Sequence, residues 1–235
     1  MRILSQTFSD PGGRTPNEDA AGFYSNGDFR AWIAADGLGG HADGEVASAC
    51  AAETLEEIMS GCTAVNEEFV RDSMRELNAA VSRLNGPLTT AVCAFTDGKT
   101  LWYANNGDSR LYFLRKNKIT HRTNDHSLAY LAYRKDVITY EDIPTHPGQS
   151  RLLHSLGSDF EFAGEFYDPI PLEPGDAFLL CTDGFWELIK DAEIERSLRM
   201  SDEPDAWLDL MLSFVRQRLK DRSDNYTAAI GMVVH

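Results

Sequence analysis

Three apolar runs of strand length in this chain each lead to a carboxylate beside a glycine. Ala31-Trp32-Ile33-Ala34-Ala35 runs into Asp36-Gly37, and Phe178-Leu179-Leu180-Cys181-Thr182 into Asp183-Gly184. Leu101-Trp102-Tyr103-Ala104 reaches Asp108 through Asn105-Asn106-Gly107, and a fourth segment reverses the order, with Asp224-Asn225 just before Tyr226 to Val234. Turn chemistry accounts for any one of these, since Asp-Gly and Asn-Gly are common hairpin signals. Taken together, buried strands that each deliver a carboxylate at an end bring several anions to one rim of the fold, where their repulsion calls for a cation. Oxygen donors without His or Cys suit hard ions, Mg²⁺ or Mn²⁺, and a glycine beside an Asp lets a backbone carbonyl approach as a further ligand. A water held between two such ions is a nucleophile for phosphoryl chemistry.

The rest of the chain supplies a frame for that rim. Ile3 to Phe8 and Ala20 to Ser25 alternate as strands, and Asn26-Gly27-Asp28 closes a hairpin onto Phe29 to Ala35. Glu45 to Met59 is alanine-rich and reads as a helix. Asn66 caps a second helix with Val70, Met74, Leu77, Val81 and Leu84 on one stripe and Gly86 past its end. A meander of strands follows from Thr89 to Arg122. Thr123 to Gln149, broken by Pro144, Pro147 and Gly148, reads as a mobile connection with little core of its own. Strands are predicted over Phe160 to Asp168, Ala177 to Thr182 and Tyr226 to Val234, with helices over Asp191 to Met200 and Pro204 to Lys220. Strands in two blocks, each followed by helices, predict an α+β, mostly antiparallel fold. No linker or repeat divides residues 1–235, so one domain is expected.

The N-terminal segment Ser9 to Asp19 carries Arg14, whose guanidinium can fork onto a phosphate, beside the carboxylates Glu18 and Asp19. The competing reading is an ordinary loop Arg paired with a nearby acid.

Charge and cysteine content exclude other classes. With 22 Lys and Arg against 37 Asp and Glu, the formal charge is −15, which argues against nucleic acid and anionic membrane surfaces as partners. No run approaches the roughly 20 apolar residues of a membrane span, and no secretory leader is visible, so a cytoplasmic location is expected. Cys50, Cys62, Cys93 and Cys181 are too widely spaced for a zinc site and read as reduced core thiols. A cysteine-based phosphatase needs Arg six residues after its nucleophile. The residues there are Glu56, Glu68, Lys99 and Glu187.

In order along nearly the whole chain, the sequence resembles the metal-dependent Ser/Thr protein phosphatases, the PP2C-like or PPM family, in their short bacterial form. The matching elements are RxxNED at Arg14 to Asp19, ADGxGGHxxGExAS at Ala35 to Ser48, TTA at Thr89 to Ala91 and NxGDSRxY at Asn105 to Tyr112. They continue with DHS at Asp125 to Ser127, RxxxSLG at Arg151 to Gly157, CTDGFWE at Cys181 to Glu187 and DNxT at Asp224 to Thr227. The resemblance implies a four-layer α/β/β/α sandwich with two antiparallel sheets between helices. It implies two or three Mn²⁺ or Mg²⁺ ions, with Asp36 bridging two metals, the Gly37 carbonyl on one, and Asp183 and Asp224 on the other. Glu18 and Asp19 would act directly or through water, and Asp108 with Glu187 would mark a third-metal position. Arg14 would hold the phosphoryl group while a metal-bridging water attacks phosphorus in one step. Phosphorylated Ser/Thr proteins would be the substrates, a Ser/Thr kinase the opposing partner, and a monomer the default state. Residues 123–150 would form the flap beside the site.

Two departures stand out. Leu38 occupies the position where eukaryotic members carry a candidate general acid, which leaves His41 in the glycine loop as a candidate proton donor. Glu187 stands where Asp is usual. Two rivals remain. Gly37-Leu38-Gly39-Gly40-His41-Ala42 fits a dinucleotide fingerprint, but the acid expected about 20 residues on falls inside a helical stretch at Glu56 and Glu57. A phosphatase-like binding module that has lost its chemistry would lack a core ligand, and Asp36, Asp183, Asp224 and Arg14 are all present.

Overall fold

The computed structural model describes residues 1–38, 43–158 and 162–234. His41, the candidate proton donor, and Phe160, where a strand was expected to begin, lie outside the described residues. The elements run in the order β1 (Arg2–Asp10), β2 (Asp19–Asn26), β3 (Phe29–Asp36), α1 (Gly44–Ser60), α2 (Glu67–Ser82), β4 (Ala91–Thr96), β5 (Thr100–Asn106), β6 (Arg110–Arg115) and β7 (Lys118–Arg122). After α3 (Leu128–Arg134) and a 3₁₀ turn at Tyr140–Thr145 come β8 (Glu165–Phe166), β9 (Ile170–Pro171), β10 (Ala177–Cys181), α4 (Asp183–Trp186), α5 (Asp191–Arg199), α6 (Pro204–Arg218) and β11 (Tyr226–Val234).

Two antiparallel sheets form, one ordered β1-β11-β10-β6-β7 and the other β2-β3-β4-β5-β8, with β9 also on β5. Between them Trp32, Val92, Leu111, Phe113, Phe178 and Leu180 form an interlayer core, with Trp32 edge-on to Phe178 at 4.8 Å between ring centres. The opposite face of the β2-β3-β4-β5 sheet packs on α1 and α2 through Leu55, Met59, Val70, Met74, Leu77 and Val81. That of the other sheet packs on α5 and α6 through Ile194, Leu198, Trp207, Met211 and Val215. Near-unbroken burial of β4, β10 and β11 follows from having a layer on each face. The expected four-layer sandwich is therefore the observed one.

Local chemistry sets the helix ends. The Asn66 side chain accepts a hydrogen bond from Phe69 N at 2.9 Å and caps α2, and Pro204 occupies the first turn of α6, where its missing N–H costs nothing.

Two expectations need correction. The strand expected over Phe160 to Asp168 shrinks, among the described residues, to the two-residue β8, followed by the two-residue β9. Pro169, between β8 and β9, and Pro171 have no N–H to donate, which keeps the two from joining into one ladder. Thr123 to Gln149 is also not without core. Ala129 and Ile143 are fully buried in the cluster beneath α5 and α6, and Asp125 is buried as well. Scattered apolar residues between breakers carry no periodicity, so their share in a core built by other elements does not register in a pattern scan.

Candidate active site

Strand ends deliver five carboxylates to one rim of the sandwich. Antiparallel pairing of β2 with β3 sets Asp19 directly opposite Asp36, an arrangement that destabilises a sheet when both are ionised. On the other sheet, the end of β10 meets the start of β11, with Thr182 N donating to Thr227 O at 3.1 Å. That contact brings Asp183, which opens α4, beside Asp224. Asp108 comes from the crossing between β5 and β6, which links the two sheets. Arg14, Asp36, Gly37, Asp108, Asp183 and Asp224 line a single cleft of about 580 Å³ with Leu38, Leu88, Leu153 and His154.

Close backbone approach keeps the rim tight, and glycine permits it. A Cβ at Gly37 would lie 2.2 Å from Gly44 O, and one at Gly184 would lie 2.0 Å from Asn225 O. Asn225 in turn ties the N-terminal segment in place. Its Oδ1 accepts from Glu18 N at 2.9 Å and its Nδ2 donates to Pro11 O at 2.8 Å. Thr90 braces Asp36 from the neighbouring strand, with Asp36 N donating to Thr90 Oγ1 at 3.1 Å and Thr90 N donating to Asp36 O at 2.8 Å.

Crowding shows in the proton affinities. Burial, then Asp183, Asp19, Asp108 and Asp224, hold the Asp36 carboxyl well above the usual range. Asp108 is likewise raised, by burial ahead of Asp183 and Asp125, with Arg110 opposing. Burial pushes Asp19 up to about 7 and Glu187 up to about 8, and Asp224 rises to about 6 although Arg14 opposes the shift. Glu18 is raised by burial and by Glu45. The one cation that lines the cleft among the described residues is Arg14, which donates from Nη1 to Asp224 Oδ1 at 2.6 Å with half of its side chain exposed.

The donor set fits hard divalent cations. Asp19 Oδ1 and Asp183 Oδ1 are buried with no hydrogen-bond partner, an expensive state for a carboxylate that an ion relieves. Among the described residues no three acidic, His or Cys side chains meet closely enough to coordinate one ion as they stand. Mg²⁺-type ions ask for less, since they keep several waters and bind through one or two carboxylates. A cysteine nucleophile finds no support: Cys93 and Cys181 are fully buried, and burial pushes both thiols up.

A protein phosphatase 2C family model matches residues 12–222. The chain belongs to the protein phosphatase 2C family. It is 32% identical over 212 residues to the serine/threonine phosphatase Stp of Listeria welshimeri, covering 83% of this chain and 84% of that protein. The crystal structure of Stp1 from Staphylococcus aureus superposes with a TM-score of 0.89 at 28% identity, covering 100% of this chain and 96% of that one. The catalytic domain of the phosphatase PstP, solved with two manganese ions, superposes with a TM-score of 0.81 at 26% identity, covering 99% of each chain.

Against this family background, the sequence-derived residues divide into those the structure gathers and those it does not. Arg14, Asp36, Gly37, Asp108, Asp183 and Asp224 line the cleft. Asp19 sits behind, accepting from Thr182 Oγ1 at 2.8 Å. Glu187 responds to the charges of Asp183 and Asp224 without lining the cleft. Trp186 is 2% exposed and packs against the Asp108 loop, with Nε1 donating to Asp108 O at 3.0 Å. Sequence reasoning passed over His154 and Gln149. The first lines the cleft and the second touches Asp183 and Asp108. Neither has a spacing that could have flagged it.

Proposed function

We propose that residues 1–235 act as one catalytic domain that hydrolyses phosphoserine and phosphothreonine in proteins with Mn²⁺ or Mg²⁺ held by Asp36, Gly37, Asp183, Asp224, Asp19 and Glu18. One observation carries this reading: five carboxylates, Asp36, Asp108, Asp183 and Asp224 in the cleft lining and Asp19 behind them, crowd together where the lining, among the described residues, supplies a single cation, Arg14. Such ions supply Lewis acidity toward phosphoryl oxygens and lower the pKa of water beside them. Asp36, shared between the two halves of the cluster, is the residue suited to bridge. Asp108 and Glu187 belong to the further position beside Asp183.

Arg14 binds and orients the phosphoryl group. One guanidinium nitrogen is spent on Asp224, and the others remain free to fork onto phosphoryl oxygens. Attack by water leaves no phosphoenzyme. His154, at the cleft wall among the described residues, and His41 are the candidates to hand a proton to the departing alkoxide. Family membership supports a phosphoprotein substrate and an opposing Ser/Thr kinase. No helix among the described residues is long and apolar enough to cross a membrane; a cytoplasmic location and a monomeric state are part of the proposal.

Phosphate release from a phosphothreonine peptide with Mn²⁺ tests the reading. Asp36→Asn is expected to lower the rate by at least about 100-fold, the upper end seen for residues one step removed from a metal ligand, and EDTA should silence the wild type. Equal release from both proteins would overturn the proposal.

A further inference from the structure

Segment 123–150 sends one side chain into the carboxylate cluster. Gln149 is 8% exposed, and its Nε2 donates to Asp183 Oδ2 at 3.1 Å and lies 3.4 Å from Asp108 Oδ2. The turn that carries it is fixed at several points. Gln149 N donates to His146 O at 2.9 Å, Gly148 N to His146 Nδ1 at 3.0 Å, and Ala129 N to Gly148 O at 3.2 Å. Just beyond, Leu152 bridges Ser127. The amide is therefore delivered by a bonded turn rather than by a free loop.

A primary amide has two N–H donors and no charge. Between two carboxylates it does weakly what a cation does strongly, satisfying an oxygen of each while leaving their repulsion in place. An oxygen whose lone pair is spent on Gln149 has less to offer an ion approaching from the same side.

We propose that Gln149 is a positioning residue that holds Asp108 and Asp183 together, and that a divalent cation on this pair binds in exchange for Gln149 and thereby loosens segment 123–150. This rests on reading the cleft as a cation site. The linkage is reciprocal: whatever the ion must displace, its prior removal strengthens ion binding by the same factor. A hydrogen bond to a charged group corresponds to about a tenfold change in affinity.

The experiment is a calorimetric Mn²⁺ titration of the full chain as wild type, Gln149→Ala and Gln149→Met, the last keeping the length of the side chain without its donors. The weakest class of sites should tighten about tenfold in both variants while tighter classes stay put. In the wild type, tryptic cleavage after the exposed Arg134 and Lys135 should accelerate as that weakest class fills, and both variants should be cut quickly from the start. Unchanged weak-class affinity in a variant that melts like wild type overturns the exchange. Weakened affinity overturns it too, because it would make Gln149 Oε1 a ligand. Should Gln149→Ala melt early, the Met variant and the wild-type cleavage titration decide, and cleavage indifferent to Mn²⁺ counts against the proposal. A wild type that binds no Mn²⁺ defeats the cation reading of the cleft itself. Normal binding with a weak class indifferent to Gln149 defeats only the exchange.

Discussion

Arg110 with Asp125 and the carboxylate cleft are neighbouring clusters of buried charge, joined through Trp186, yet they are neutralised in opposite ways. Arg110, 3% exposed, forks onto Asp125, with Nε to Oδ1 at 2.7 Å and Nη2 to Oδ2 at 2.6 Å. Its Nη1 donates to the hydroxyls of Tyr112 and Tyr140, and its guanidinium carbon lies 3.5 Å over the Trp186 ring. Four of its five N–H groups are thus answered inside the chain. On the other side of Trp186, Asp36, Asp108 and Asp183 raise one another's proton affinity. Gln149 donates to Asp183 and approaches Asp108, the half-exposed Arg14 pairs with Asp224, and Arg110 reaches Asp108 only as an opposing charge without a hydrogen bond. Where the fold needs a charge balanced for its own sake, it supplies an arginine. Where it leaves carboxylates short, the proposed function has the balance arrive with divalent cations, whose positive charge the cluster lacks.

The largest effect that tests this contrast is in the paired cluster. Asp125→Ala strands a buried guanidinium and should cost about 3–5 kcal/mol in chemical denaturation. A loss below about 1 kcal/mol would show that Arg110 finds other partners and that the pair is not self-contained.

The unpaired cluster should behave the other way, and its pH dependence shows it. The raised carboxyls of Asp224, Asp19 and Glu187 bind protons in the folded chain at about 6, 7 and 8, above their values in the unfolded chain. Metal-free protein therefore keeps its full contribution from these groups below about pH 4 and loses it progressively as pH rises through 6 to 8. Melting in EDTA should fall across that window, and saturating Mn²⁺ should flatten or reverse the trend, because ions replace protons. Asp36→Asn, which removes one of the crowded charges, should melt no lower than wild type in EDTA at pH 8. A flat EDTA profile for the wild type would remove the electrostatic basis for the comparison.

The smallest effect serves as a control. Arg75 and Asp72 pair at 3.0 Å on the surface of α2 with both side chains well exposed, so Arg75→Ala should change stability by less than about 0.5 kcal/mol. A larger change would mean that solvent screens charges on this protein less than the contrast assumes.

Much of the architecture was legible because it rests on local rules. The two-residue Gly27-Asp28 hairpin, the Asn66 cap, the α2 stripe and the carboxylates at strand ends are each written in a window of a few residues. What was missed lies across long separations. Gln149 meets Asp183 from 34 residues away, and Arg110 is answered by Asp125 and Tyr140, 15 and 30 residues further along the chain. The strand expected to end at Asp168 is replaced by two short pairings on β5, β8 and β9, with Pro169 between them.

By itself, then, the sequence determined which residues are acids at strand ends, which faces are apolar, and that no thiol stands in a phosphatase motif. Apolar period and turn chemistry are properties of the chain alone. Only the tertiary structure decided that Asp19 faces Asp36, that Asp183 joins Asp224, that the supposedly loose segment is anchored by Ala129 and Ile143, and that Gln149 reaches the cluster. Those are matters of register and packing, where long-range pairing brings charges together that no stretch of chain would choose to place side by side.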